Sequence, residues 1–471
     1  MKYSQIATML NSVYSEIIGE GPIIAEDLSN IVDIGRTITS STDWGDNFDK
    51  YVGKIIDKVG RSIFWDRTYS GDDLGLLRES WEYGSILEKI RVEVGDFVDN
   101  PVWQLTDGSL PDFSDLFDFD SPAEVAAKYF NSKTTFALEI CITREQAESA
   151  FRSAADMARF VGAIENRIRT KMEISKEALA YRCEANLIIE KVKAGNGVRN
   201  LLLQYIQQSG DSTITEENCL ASEAFLRYAV QVIRIDKALI RKANGLFNVD
   251  HYTTFTPGDR LKVFALADFA AALEAVLRSN TYHDEFVTLD GYREVPYWQA
   301  IGTGDRATRA QIKAIPASEA GELSPTTYTQ KDILFVMQDR DAAMICCEAQ
   351  PVDSLYNPKA RFYKYFYRHD ASYYNDTAEN AIVYTAAPGV LLKVKTASVA
   401  VAGTVDVSTG ITKLPSSGSV TYTSSATGKA TVNSSTGVVT GVAAGETTIT
   451  ASMTVDGITY TDTCLVTVTS T

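Results

Sequence analysis

The sequence predicts an α+β region of about 390 residues followed by an all-β sandwich of about 80. Three observations carry that expectation. Composition changes at Ala386-Ala387-Pro388-Gly389, from charged and aromatic upstream to Ser, Thr, Val and Gly downstream. Upstream, runs with helical spacing mix with runs of strand spacing, whereas downstream only short strands between glycine turns can be read. At 471 residues the chain also exceeds one ordinary core, so two or three domains are expected.

Taken in order, residues 3–18 read as an amphipathic helix. The start, MKYSQIATMLNSVYSEIIGEGP, carries acidic residues and lacks the basic opening, long apolar centre and cleavage site of a signal peptide, so secretion by that route is not expected. A helix is expected near 47–60, with strands over about 61–69 and 85–98. In SILEKIRVEV, Ile86, Ile90, Val92 and Val94 share one strand face and Lys89, Arg91 and Glu93 the other. Paired with the preceding strand, this segment would form an extended hairpin.

Long helices are expected between about 144 and 193. In TREQ, Thr143 is placed to cap an amide three positions on while Gln146 reaches back. Phe151, Ala154, Ala158, Val161, Ile164 and Ile168 then form one apolar stripe, with Arg152, Arg159, Glu165 and Arg169 facing elsewhere. A second helix over about 174–193 carries Leu179, Cys183, Leu187 and Val192, and Gly195-Asn196-Gly197 stops it. Further helices are expected over about 197–208, 221–244 and 266–278. DILFVMQDRDAAMICCEA reads as two buried strands around the polar turn Gln338-Asp339-Arg340-Asp341. In ARFYKYFYRHD, Phe362, Lys364 and Phe366 alternate with Tyr363, Tyr365 and Tyr367, so one face is available to a neighbouring subunit.

Composition excludes several classes of function. Cys141, Cys183, Cys219, Cys346, Cys347 and Cys464 show no CxxC pair or metal-ligand spacing, and they read as buried free thiols in a reducing compartment. Adjacent Cys346 and Cys347 point to opposite strand faces, which disfavours a bond between them. Charges or glycines interrupt every hydrophobic run before it reaches bilayer-spanning length, so no membrane partner is expected. Of the net charge of -16, about thirteen excess negatives lie in the first 120 residues. Basic groups are scattered, as at Arg167, Arg169 and Lys171, which argues against tight DNA binding and suits a container filled without sticking.

Catalytic constellations are absent from the sequence. His251, His283 and His369 are widely separated and outside any HExxH array. Gly302-Thr303-Gly304-Asp305 has too few glycines for a nucleotide loop and reads as a turn. Asp112, Asp115, Asp118 and Asp120, interleaved with Phe113, Phe117 and Phe119, lack EF-hand spacing and read as a solvated or docking acidic loop. No catalytic, cofactor-binding or metal-ligating residue is therefore assigned, and no cofactor is expected. A carboxylate pair for glycoside hydrolysis would be distant in sequence, and nothing selects one.

From about Thr396, TYTSSATGKATVNSSTGVVTGVAAGETTITASMTVDGITYTDTCLVTV resembles a bacterial immunoglobulin-like domain of group two. The order is SS before ATV, then STGVVTGVAAG, TTITA and a final LVTV. Val432, Val438, Val442, Ile449 and Val466 read as inward positions, and Gly437, Gly441, Gly445 and Gly457 as turn or close-approach positions. Upstream, RDAAMICCEAQPVDSLYNPKARFYKYFYRHDASYYNDTAENAIVY resembles the major capsid proteins of short-tailed phages of the picovirus group, with a Hong Kong 97-type shell fold.

That resemblance implies a shell domain over residues 1–390 and an immunoglobulin-like domain over 391–471. Within the shell it implies an N-terminal arm (1–60), an extended loop (61–105), and peripheral and axial domains (106–390), the spine helix lying within 144–193. It further implies pentamers and hexamers closing into an icosahedral head around double-stranded DNA, a scaffolding protein and portal as assembly partners, weak non-specific contact with packaged DNA, and assembly in the bacterial host cytoplasm. The appended module is expected on the outer surface, where host glycans are its possible ligands, and removing it is expected to leave shell assembly largely intact. The competing reading is a bacterial surface or secreted protein, an adhesin or glycan hydrolase, carrying such a module.

Overall fold

The computed structural model describes residues 3–18, 24–33, 74–78, 87–93, 124–130, 133–143, 154–278, 291–299, 306–317, 322–349, 353–357, 359 and 362–470. The expected helix near 47–60 and strand over 61–69 lie outside these residues. Helix α1 (Tyr3–Ile18) has the expected bounds. It buries Ile6, Leu10 and Val13 at steps of three and four, and Asn11 clamps the returning chain by exchanging two hydrogen bonds with the backbone of Ile24.

Two sheets build the body. In the first, β13 (Phe362–Asn375) is central: β4 (Lys133–Thr143) runs antiparallel along one edge. Along the other edge, β12 (Asp353–Asn357) pairs with its first half and β11 (Ala343–Ala349) with its second, and β1 (Leu77–Arg78) adds in parallel to β11. The second sheet has the order β5 (Val198–Asn200), β14 (Ala381–Thr385), β10 (Ile333–Asp339), β6 (Leu261–Leu266), β7 (Arg293–Val295). Every residue of β10 and β14 is buried, which explains their unbroken apolar runs: a central strand covered on both faces needs no polar alternation. The strands read from DILFVMQDRDAAMICCEA are present, but they belong to different sheets. Asp339 makes the corner, its carboxylate accepting from Asp341 N and its carbonyl from Ala342 N.

Helix α2 (Ala154–Ala194) spans 41 residues, about 60 Å, and packs against both β11 and β13 of the first sheet and β14 of the second. It corrects the expectation of two helices, because nothing in TKMEISKE interrupts an i to i-4 ladder. Thr143 ends β4 instead of capping a helix, and Gln146 lies outside the described residues. Ile168, Leu179, Cys183 and Leu187 are buried as the stripe requires, yet around 179–189 nearly the whole circumference is covered, since sheets lie on more than one side. The glycine stop is real: Gly197 has φ +76°, and a Cβ there would sit 2.6 Å from the Ala381 carbonyl.

Helix α3 (Leu201–Ser209) starts later than expected because residues 198–200 form β5, after which the Asn200 side chain caps Leu203 N. Helices α4 (Glu223–Leu239), capped by Ser222, and α5 (Ala267–Ala272), continued by a π turn to Arg278, fall within the expected ranges. A short helix α6 (Arg306–Arg309) precedes the ribbon of β8 (Ile312–Ala314) and β9 (Tyr328–Gln330).

The C-terminal sandwich pairs a four-stranded sheet with a three-stranded one. The first has the order β16 (Thr396–Ala400), β23 (Ile458–Thr469), β22 (Gly445–Val455), β19 (Val420–Ser424). The second has the order β17 (Thr404–Asp406), β21 (Val438–Gly441), β20 (Ala430–Val432). The pair β15 (Gly389–Leu391) and β18 (Thr412–Leu414) closes the end nearest the body. Ile449 and Val466 are fully buried and Val432 packs on their cluster as expected. Two inward assignments are corrected: Val439, not Val438, fills the core, and Val442 is 47% exposed. Val439 and Gly441 face inward, Gly441 so closely that its would-be Cβ lies 2.6 Å from the Ala400 carbonyl, and the unbroken alternation therefore puts Val438 and Val442 on the outer face.

Candidate assembly interface

The segment LEKIRVE forms β2 (Leu87–Glu93), whose described partner is β3 (Glu124–Phe130), from the far side of the acidic stretch. The preceding strand of the expected hairpin lies outside the described residues. In EVAAKYF, Val125, Ala127 and Tyr129 alternate with Ala126, Lys128 and Phe130, a period-two signal that the sequence reading passed over.

Register sets two opposite faces. Ile90, Val92, Val125 and Tyr129 stand on one face at 61%, 57%, 65% and 55% exposure. Lys89, Arg91, Lys128 and Phe130 stand on the other and dock on the body. Ile90, Val92, Val125 and Tyr129 therefore face solvent together with Glu88, which accepts from the Tyr129 hydroxyl at 3.0 Å, while the cations face inward. The reason is the docking surface: Asp376 is almost wholly buried, Glu379 largely so, and Asp250 half-buried, so this patch recruits cations whose alkyl stems tolerate burial.

Lys89 Nζ pairs with both Asp376 and Glu379. Lys128 Nζ lies 2.7 Å from Asp250 Oδ2 and 3.6 Å from Asp376 Oδ1. Arg91 pairs with Glu379 at 3.6 Å and stacks 4.8 Å from the Tyr252 ring centroid. Beneath them Lys191 is fully buried, its Nζ donating to the carbonyls of Phe247 (2.9 Å), Thr377 and Glu379. Burial pushes the Lys191 ammonium down to about 7, against the opposing pull of Asp376 and Asp250. At the base of the ribbon, Phe130 packs on Tyr374 with centroids 4.7 Å apart.

The sandwich meets the body differently. Leu414 belongs to the body's own core cluster and Leu391 packs on it, so β15 and β18 lie against α3. Asn200 Nδ2 donates to the Ala387 carbonyl at 2.7 Å, and Lys331 pairs with Asp456 at 3.3 Å.

The residues weighed for chemistry are not brought together. His251 Nδ1 lies 3.2 Å from the Gly245 carbonyl, and His369 is on β13 pairing with Phe136 and Ala349. His283, Gly302–Asp305 and Asp112–Asp120 lie outside the described residues. Among the described residues no group of three or more His, Cys, Asp or Glu is placed to hold a metal, and no helix is long and apolar enough to cross a membrane. All six cysteines are free thiols, Cys141 being exposed and Cys347 half-buried. On β13, Tyr365 and Tyr367 are buried while Phe362, Lys364 and Phe366 remain half-exposed.

A two-faced ribbon, a long helix packed on two sheets and an appended sandwich follow the Hong Kong 97-type layout expected from the resemblance. The sandwich matches the family model described as bacterial Ig-like domain (group 2) over residues 386–459. The rest falls in the class of phage capsid proteins, the structural subunits of the virion head. The chain belongs to the Phi29-like phage major capsid protein family, whose model matches residues 6–385.

Among solved structures, it is similar to a chain of the Staphylococcus phage Andhra capsid (10% identity, TM-score 0.43, covering 66% of this chain and 83% of that one). It is also similar to a chain in the structure of the head fiber and inner core protein of bacteriophage P68 (11% identity, TM-score 0.41, 66% and 83%) and to one of Mycobacterium phage Che8 (10% identity, TM-score 0.34, 68% and 92%). No curated protein matches the chain.

Proposed function

We propose that this major capsid protein self-assembles as pentamers and hexamers into an icosahedral head enclosing double-stranded DNA, acting through repeated contact and without catalysis. The observation that carries the reading is the outward face of the β2–β3 ribbon. Ile90, Val92, Val125 and Tyr129 make a largely apolar surface on the solvent side of the docked ribbon, which a second copy of the chain would cover. Many such contacts repeated over a closed lattice sum to strong association even where each one is small.

In this reading residues 1–390 form the shell and 391–471 an outward module, available to host surface glycans. The acidic first third keeps contact with packaged DNA weak. A scaffolding protein and a portal guide closure in the host cytoplasm.

The test is Ile90→Asn combined with Val92→Asn. Both side chains are exposed in the single subunit, so its unfolding free energy should stay within about 0.5 kcal/mol of wild type. Negative-stain microscopy and sedimentation should show closed particles for the wild type, with a co-expressed scaffold, and their loss in the variant. Particles formed equally by the variant, or a wild type that stays monomeric with and without scaffold, would remove the reading.

A further inference from the structure

We propose that Lys89, Arg91 and Lys128 form an ionic latch on Asp250, Asp376 and Glu379, holding the β2–β3 ribbon against its own body until screening of the charges releases it toward a neighbour. The proposal rests on the assembly reading only for what the released ribbon then meets.

Among the described side chains the attachment is made mostly of charge. Along the length of the ribbon each inward cation meets a carboxylate of the body, and the large apolar contact described is Phe130 at its base, against Tyr374. That distribution leaves Phe130 as a pivot and the ion pairs as the removable part. Without the ribbon the dock would hold three carboxylates beside a single buried cation, Lys191, so excess negative charge draws the ribbon back. The most buried carboxylate, Asp376, does not depend on the ribbon for its position. Asp376 accepts from Ala378 N at 3.0 Å, and its backbone N donates to the Ala342 carbonyl at 2.8 Å, both within the body. Release therefore swaps ion pairs for water without breaking β10 or β14, the buried centre of the second sheet. Partly exposed pairs of this kind weaken as the screening length shrinks to about 3 Å near 1 M salt.

Amine labelling of the unassembled full chain, read by mass spectrometry, tests this. Between low salt and about 1 M salt, labelling of Lys89 and Lys128 relative to exposed Lys242 should rise about tenfold, while Lys191 stays unlabelled. Glu379→Gln together with Asp250→Asn should give the same rise at low salt, and Glu379→Asp should restore protection. Rates indifferent to salt and to these substitutions would overturn the latch, as would labelling of Lys191 in step with Lys89, which would mean the body opens as one unit. Particle formation is scored separately. A chain whose ribbon releases but which never assembles would sink the assembly reading and leave the latch standing.

Discussion

The β2–β3 ribbon and the C-terminal sandwich are both appended to one two-sheet body, and opposite physics holds them. The ribbon turns its cations inward onto Asp376 and Glu379 and leaves Ile90, Val92, Val125 and Tyr129 in solvent. The sandwich sends Leu414 and Leu391 into the body's core and shows water a surface rich in Thr and Ser. Ion pairs at a partly wet surface can be exchanged for water at small net cost, whereas apolar burial has no such substitute. The comparison teaches that the ribbon is held by contacts that water can replace and the sandwich by contacts that it cannot.

The largest effect that would break this contrast is expected at the sandwich junction. Leu414→Ala should destabilise the chain by about 3 kcal/mol in denaturant unfolding, since it opens a cavity in a core shared by both parts. A loss confined to a separate sandwich transition would mean that the two parts are merely tethered. The same junction sets a stability cost for removing residues 391–471, a deletion expected to leave shell assembly largely intact. Truncation uncovers the surface of α3 against which β15 and β18 pack, so the truncated shell should melt lower even where it assembles.

Next comes the platform that carries both appendages. Glu184 is fully buried on α2 and accepts from Gln338 Nε2 at 2.9 Å, while Glu184 Oε1 and Gln338 Oε1 lack hydrogen-bond partners among the described residues. Desolvation by burial raises this carboxyl from 4.5 to about 7, with the Gln338 hydrogen bond opposing. The folded state thus holds the proton more tightly than the unfolded one. Its contribution is full below pH 4.5 and is lost as the pH rises through about 7. Glu184→Gln should flatten that slope and, above pH 8, stabilise the chain by up to roughly 3 kcal/mol in pH-resolved thermal unfolding. An unchanged slope would place the titration elsewhere.

The smallest effect sharpens the picture inside the sandwich. Val439→Ala should cost about 2 kcal/mol, whereas Val442→Ala should stay within about 0.5 kcal/mol in the same melting assay. Equal costs would restore the register read from periodicity alone.

Much of the fold was legible because some signals are local. The bounds of α1, the buried runs of β10 and β14, the Gly195–Gly197 stop and the compositional break at Ala386 each depend on a few adjacent residues. The continuity of α2 was missed because a lapse in an apolar stripe resembles a helix end, although the backbone there meets no breaker. Strand β3 was missed despite its alternation, because the acidic stretch before it drew the reading toward loop. At the candidate interface, the two faces of β2 were separated correctly, but which face meets the body depends on Asp376 and Glu379, nearly three hundred residues away in sequence.

By itself, then, the sequence determined where the locally signalled helices and strands lie, that two architectures are joined, and that reactive side chains follow no known sequence motif. Tertiary structure alone decided that β10 and β11 part at Asp339 into different sheets, that β2 pairs with β3, and that the cations of the ribbon point inward. The physical reason is range. Periodicity and turn chemistry act between neighbours along the chain, while the choice of sheet partner and of buried face depends on charges and surfaces that meet only once the chain has folded.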